Sequence, residues 1–119
     1  DNMYRNLVLY RNELKNTVVP RYKTIGIVAE LLMSKEIFSK NTEISDFLSA
    51  VFSTKYKDYV MKSRTLIIAR CCRIVLNCEE KDYAIYKKKL FQFVNVKIET
   101  LKREGGIKKE KNQFDGWMS

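Results

Sequence analysis

The chain contains no histidine. That absence removes the Ser-His-Asp triad, the Cys-His pair and every histidine-ligated metal site. Proline occurs once, at Pro20, and glycine four times. An all-β chain of this length needs many more turn residues, so the expected fold class is all-α. No apolar run approaches the ~20 residues that cross a bilayer. Nor does any N-terminal stretch have the charged start and continuous apolar core of a signal peptide. Neither a GxxxxGKS/T nor a GxGxxG pattern is present to cradle a phosphate, and Gly105-Gly106 follows a helix rather than opening one. These absences together point to a protein that is not an enzyme, with no catalytic residues, no cofactor and no membrane partner.

Three cysteines are present. Cys71, Cys72 and Cys78 are odd in number, and two of them are adjacent on an apolar segment. They read as buried thiols in a reducing, intracellular compartment, nucleus or cytoplasm, rather than as a disulfide framework. They lack the paired CxxC spacing of a zinc site, so no metal ligands are expected. Glu79, Glu80 and Asp82 resemble a carboxylate cluster, but negative charge at a helix start accounts for all three. The chain opens Asp-Asn-Met-Tyr without an initiator methionine, and reads as a piece of a longer protein or one with a processed start.

What the chain has in quantity is positive charge, a formal +9. It is uneven: residues 1–60 hold nine lysines and arginines against seven acids, and residues 61–119 hold fourteen against seven. A basic half suggests an acidic partner, either protein or nucleic acid, although lysine-rich surfaces also serve simply to keep a domain soluble.

Periodicity predicts five or six helices. Met3, Leu7, Tyr10 and Leu14 recur at helical spacing, giving a first helix over 3–16. Pro20 suits the first turn of a second, over 20–34, with Ile25, Val28, Leu31 and Leu32 facing inward. Gly26 within it implies close packing against a neighbouring backbone. Ile44, Phe47, Leu48, Val51 and Phe52 form one buried stripe behind a cap at Asn41 or Thr42, and Tyr56, Tyr59 and Val60 add a short further turn. The next run, Ser63–Asn77, is apolar nearly all round, with Ser63 as its N-cap. Such a helix is expected at the centre of the fold, surrounded by the others as a compact bundle or short stacked pairs. A last helix, 81–104, should end at Gly105-Gly106. Residues 1–106 thus read as a single helical domain. Residues 107–119 read as a basic C-terminal tail, either loose or pinned back by Phe114 and Trp117.

Two groups of residues stand out as candidate sites. Arg70 and Arg73 lie three apart on the central helix, so they should be nearly engulfed. There they either pair with a carboxylate such as Asp46 or Asp58, or line a groove for an acidic peptide. Ile85 and Val96 point about 200 degrees away from Tyr83 on the last helix, which suggests a second contact: another helix, the returning tail or a partner. These four are the expected partner-binding residues of a non-catalytic protein-interaction or scaffold module, holding a partner helix or linear motif in an apolar and basic groove. The alternative is nucleic-acid binding through a lysine ridge on the last helix and tail: Lys88, Lys89, Lys102, Arg103, Lys108, Lys109 and Lys111. Glu99, Glu104 and Glu110 dilute that ridge.

Overall fold

A computed structural model describes residues 2–118, with side chains described for residues 3–105. Its elements in order are α1 (Asn2–Leu14), α2 (Arg21–Met33), a 3-10 turn (Asn41–Glu43), α3 (Ile44–Phe52), α4 (Asp58–Met61), α5 (Arg64–Asn77) and α6 (Glu80–Met118). Among the described residues there are six α-helices and no strand, as the turn-poor sequence predicts. In the layout, α1 and α3 pack on α6, while α5 packs on α2 and α4.

Helix α3 is amphipathic and turns one apolar stripe toward α6, leaving Ser45, Asp46, Ser49 and Ala50 exposed. Its stripe, Ile44, Phe47, Leu48, Val51 and Phe52, is buried throughout. The Phe47 ring lies 5.5 Å from Phe38, 6.0 Å from Phe52 and 4.8 Å from Phe93 between centroids. Phe52 in turn meets Tyr86 edge to face at 5.2 Å. These edge-on pairs join α3 and the link before it to one face of α6, in an arrangement that aromatic quadrupoles favour. The helix ends at Ser53, which takes the left-handed conformation (φ 50°). From there the backbone N–H groups of Ser53 and Thr54 return to the carbonyls of Ser49 and Leu48.

The expectation that Ser63–Asn77 is the engulfed element is not met. The Ser63 side chain does cap α5, accepting from the Leu66 N–H at 3.2 Å. Yet only Ile67, Cys71 and Val75 are buried on α5. They fall four apart, a single stripe, which packs on α2. Leu66, Ile68 and Ile74 are half-buried, and Leu76 is 62% exposed. An apolar girth shows what a helix is able to bury, and here neighbours cover one side only.

Two glycine expectations change as well. Gly26 is exposed, and an added Cβ there would meet nothing within 4 Å, so close backbone packing does not explain it. Helix α6 runs on through Gly105-Gly106 to Met118 rather than ending there. The suggested pinning by Phe114 and Trp117 concerns side chains outside those described.

Polar ties close the open end of the fold, where the link between α1 and α2 meets the start of α6. Tyr83 is buried, and its hydroxyl donates to the Val19 carbonyl at 2.5 Å while lying 2.8 Å from Thr24 Oγ1. Farther along the α1–α2 pair, the Tyr10 hydroxyl donates to Glu30 Oε2 at 2.5 Å.

Candidate functional site

The side chain of Arg70 is not engulfed. It lies half-exposed on α5, its Nη2 donating to the Tyr59 hydroxyl at 3.2 Å, with its guanidinium carbon 6.0 Å from the centre of the Tyr56 ring. Arg73 is exposed. Neither takes part in the ion pairs found among the described residues, which join Arg21 to Glu80, Lys23 to Glu13 and Lys81 to Glu79. The expected pairing with Asp46 or Asp58 is therefore absent, and the reason is geometric. The buried stripe of α5 is filled by Ile67, Cys71 and Val75, which turns Arg70 and Arg73 toward the outside.

This arrangement makes a surface rather than a groove. Tyr59, on the one-turn helix α4, is 60% exposed, and its hydroxyl meets Arg70 across the α4–α5 junction. Tyr56 sits behind it with its hydroxyl against the buried Cys71 thiol, and burial pushes both groups up to about 12. Over residues 55–78 the only acid is Asp58, against Lys55, Lys57, Lys62, Arg64, Arg70 and Arg73. Arg64 turns inward, its Nε donating to Asn41 Oδ1 at 2.9 Å, and the exposed Lys55, Lys57, Lys62 and Arg73 leave the surface basic, with tyrosines set among the cations. The alternation Lys55-Tyr56-Lys57-Asp58-Tyr59 was the signal for it in the sequence, and Tyr59 is the residue that sequence reasoning did not single out.

Ile85 and Val96 are 49% and 62% exposed on α6. Because α6 packs on α1 and α3 whereas α5 packs on α2 and α4, the structure does not bring these two together with Arg70 and Arg73 in one groove. Of the lysine ridge, Lys88, Lys102 and Arg103 are exposed and Lys89 is half-buried. Lys108, Lys109 and Lys111 have side chains outside those described.

A second basic feature lies between the end of α1 and α6. It is a cleft of about 400 Å³ bordered by Lys15, Asn16, Thr17, Lys87 and Lys88, with Leu14 and Phe91 at its base. Lys87 Nζ reaches across to the carbonyl oxygens of Asn16 and Thr17 at 3.3 and 3.2 Å, and so fixes the chain leaving α1 against α6.

Among the described residues no group of three or more acidic, cysteine or histidine side chains is placed to hold a metal ion. Cys71 is buried, while Cys72 and Cys78 are half-buried. Cys78 Sγ lies 3.3 Å from Arg21 Nη1, within a set of contacts that serves the end of α5. No described helix is long and apolar enough to cross a membrane. No family model, curated protein or solved structure gives a significant match to this chain.

Proposed function

We propose that this domain is a non-catalytic protein-interaction module of a larger intracellular protein, nuclear or cytoplasmic, that docks an acidic segment of a partner on the α4–α5 face. The observation that carries the reading is the exposed Tyr59–Arg70 pair, stacked toward Tyr56 in a stretch where Asp58 is the one acid among the exposed cations Lys55, Lys57, Lys62 and Arg73. Tyrosine and arginine are the side chains that most often anchor protein interfaces, because each brings large contact area together with a directional polar group. Arg70 and Arg73 supply the charge, Tyr59 the contact area, and Tyr56 holds the Arg70 guanidinium in place. Ile85 and Val96 form a separate apolar contact on α6. The three unpaired thiols fit a reducing compartment.

A second reading, nucleic-acid binding through the lysine ridge, draws on the exposure of Lys88, Lys102 and Arg103. Affinity capture from nuclear and cytosolic extracts, with and without nuclease, separates the two. Under the first reading a defined protein is retained after nuclease treatment, is lost with Arg70→Glu plus Arg73→Glu, and survives Lys89→Glu plus Lys102→Glu. Under the second, capture disappears with nuclease, and binding to random oligonucleotides falls steeply with salt.

A further inference from the structure

The cleft between the end of α1 and α6 serves neither the core nor the α4–α5 face, and its lining is chemically one-sided. Three ammonium groups, those of Lys15, Lys87 and Lys88, border it, and no carboxylate does. Lys87 is committed to the carbonyls of Asn16 and Thr17. Lys15 and Lys88 are exposed and have no acidic partner among the ion pairs of the described residues. Two unpaired cations thus flank a hollow whose base is Phe91, half-buried against the core, and Leu14 beneath it.

The volume, about 400 Å³, lies near the lower end of the range of ligand-binding clefts, roughly 300–1,000 Å³. It suits one bulky side chain and its immediate neighbours better than a cofactor. Lysine ammoniums attract carboxylate and phosphate alike, so the cations alone do not choose between an acidic peptide and a nucleic acid. The carbonyls of Asn16 and Thr17 do choose. Each keeps a second lone pair beyond the one taken by Lys87, so the same rim offers acceptors as well as cationic donors. The phosphates through which a nucleic acid meets lysines carry acceptors only, its N–H donors lying apart on the base edges, whereas a peptide sets carboxylates for the lysines and backbone N–H groups for the carbonyls within a residue of each other.

We infer that this cleft is a second docking site, independent of the α4–α5 face, for an acidic linear peptide whose single aromatic or large aliphatic side chain seats on Phe91 between carboxylates held by Lys15 and Lys88. The two lysines act at its rim as solvated charges that steer and orient, and the seated side chain supplies the contact that excludes water.

The test is fluorescence anisotropy at low salt with the whole chain and a short fluorescein-labelled peptide carrying one phenylalanine between glutamates. Saturable binding is expected. It should weaken at least about tenfold when the phenylalanine is replaced by serine, and by a similar factor in the Lys15→Glu, Lys88→Glu double variant. Lys102→Glu, on the same helix outside the cleft, should change it by less than about twofold, as should Arg70→Glu with Arg73→Glu. Circular dichroism of each variant checks that it remains folded. Equal losses with Lys102→Glu would overturn the inference, since net charge alone would then explain binding. So would indifference to the phenylalanine, or equally tight, competing binding of a random single-stranded oligonucleotide. Loss only with Arg70→Glu and Arg73→Glu would place this peptide on the α4–α5 face, overturning the cleft while supporting the first docking surface.

Discussion

Arg21 Nη1 donates to the Cys78 carbonyl at 2.5 Å and to the Val75 carbonyl at 2.9 Å, so one side chain from the first turn of α2 closes the far end of α5. Its Nη2 reaches Glu80 at 3.2 Å, and its guanidinium carbon lies 5.0 Å from the centre of the Tyr83 ring. Helix ends carry unsatisfied carbonyls and a partial negative charge, and a guanidinium answers both. Arg21→Met, which keeps the stem and removes the donors, should lower the midpoint of urea unfolding. Arg21→Lys should recover only part of that, because an ammonium lacks the planar fork that serves several acceptors at once. The Glu80 contact contributes little, since Glu80 is exposed and its charge is screened.

One-sided burial of α5 predicts a contrast within a single helix. Ile67→Ala should cost about 2–5 kcal/mol, because Ile67 is fully enclosed. Leu76→Ala, nine residues on and exposed, should stay within about 0.5 kcal/mol of the parent. Equilibrium unfolding of the two variants reads the difference directly, and equal losses would contradict the packing of α5.

Two backbone substitutions should stabilise, for opposite reasons. Gly26 lies within a helix, with open space where a Cβ would stand. Gly26→Ala should add about 0.5–1 kcal/mol by restricting the unfolded chain. Ser53 holds a left-handed conformation, which a side chain disfavours by roughly 1–2 kcal/mol. Ser53→Gly removes that strain but widens the unfolded ensemble, so its gain should be the smaller one, a few tenths of a kcal/mol. Thermal melts of the two single variants, both raised, would agree with both arguments.

Stability should fall in alkali. In the unfolded chain Cys71 and Tyr56 ionise near their ordinary values of 9.0 and 10.0, whereas burial holds both near 12 in the fold. The unfolded chain therefore carries fewer protons over this window. Stability is whole below pH 9 and is lost as pH rises toward 12, with Cys71 contributing more than Tyr56, which is less buried and partly screened by solvent. Cys71→Val should flatten the fall that begins near pH 9. The same burial makes Cys71 the slowest of the three thiols toward a thiol reagent in the native state, with all three reacting fast in denaturant.

Much of the fold was legible because helical periodicity is local. The α3 stripe, the Ser63 cap and the outward positions of Ile85 and Val96 all follow from residue spacing, and the structure places them accordingly. What was not legible depends on which elements meet. The run from Leu66 to Leu76 has the composition of a central helix, but α2 and α4 cover only part of it. That same geometry sets Arg70 and Arg73 on an open face and separates them from Ile85 and Val96. The Arg21 contacts and the Lys87 strap join residues more than fifty positions apart, and no local pattern announces such a partner. Spacing alone places Tyr59 in a short turn, and its exposure is set by how α4 sits on α5.

The buried face of α6, with Leu90, Val94 and Ile98, completes the enclosure of both α1 and α3. A ribosome releases that face last among these elements, after α1, α2, α3 and α5 have all left the tunnel. Until then Leu7 and Leu14 on α1 and the Phe38–Phe47 pair lack the cover that α6 supplies. A nascent chain paused before α6 is accordingly a sticky one, a natural client for chaperones that hold apolar segments. A premature stop within 80–98 would leave it in that condition permanently, and such a product is expected in aggregates rather than in solution.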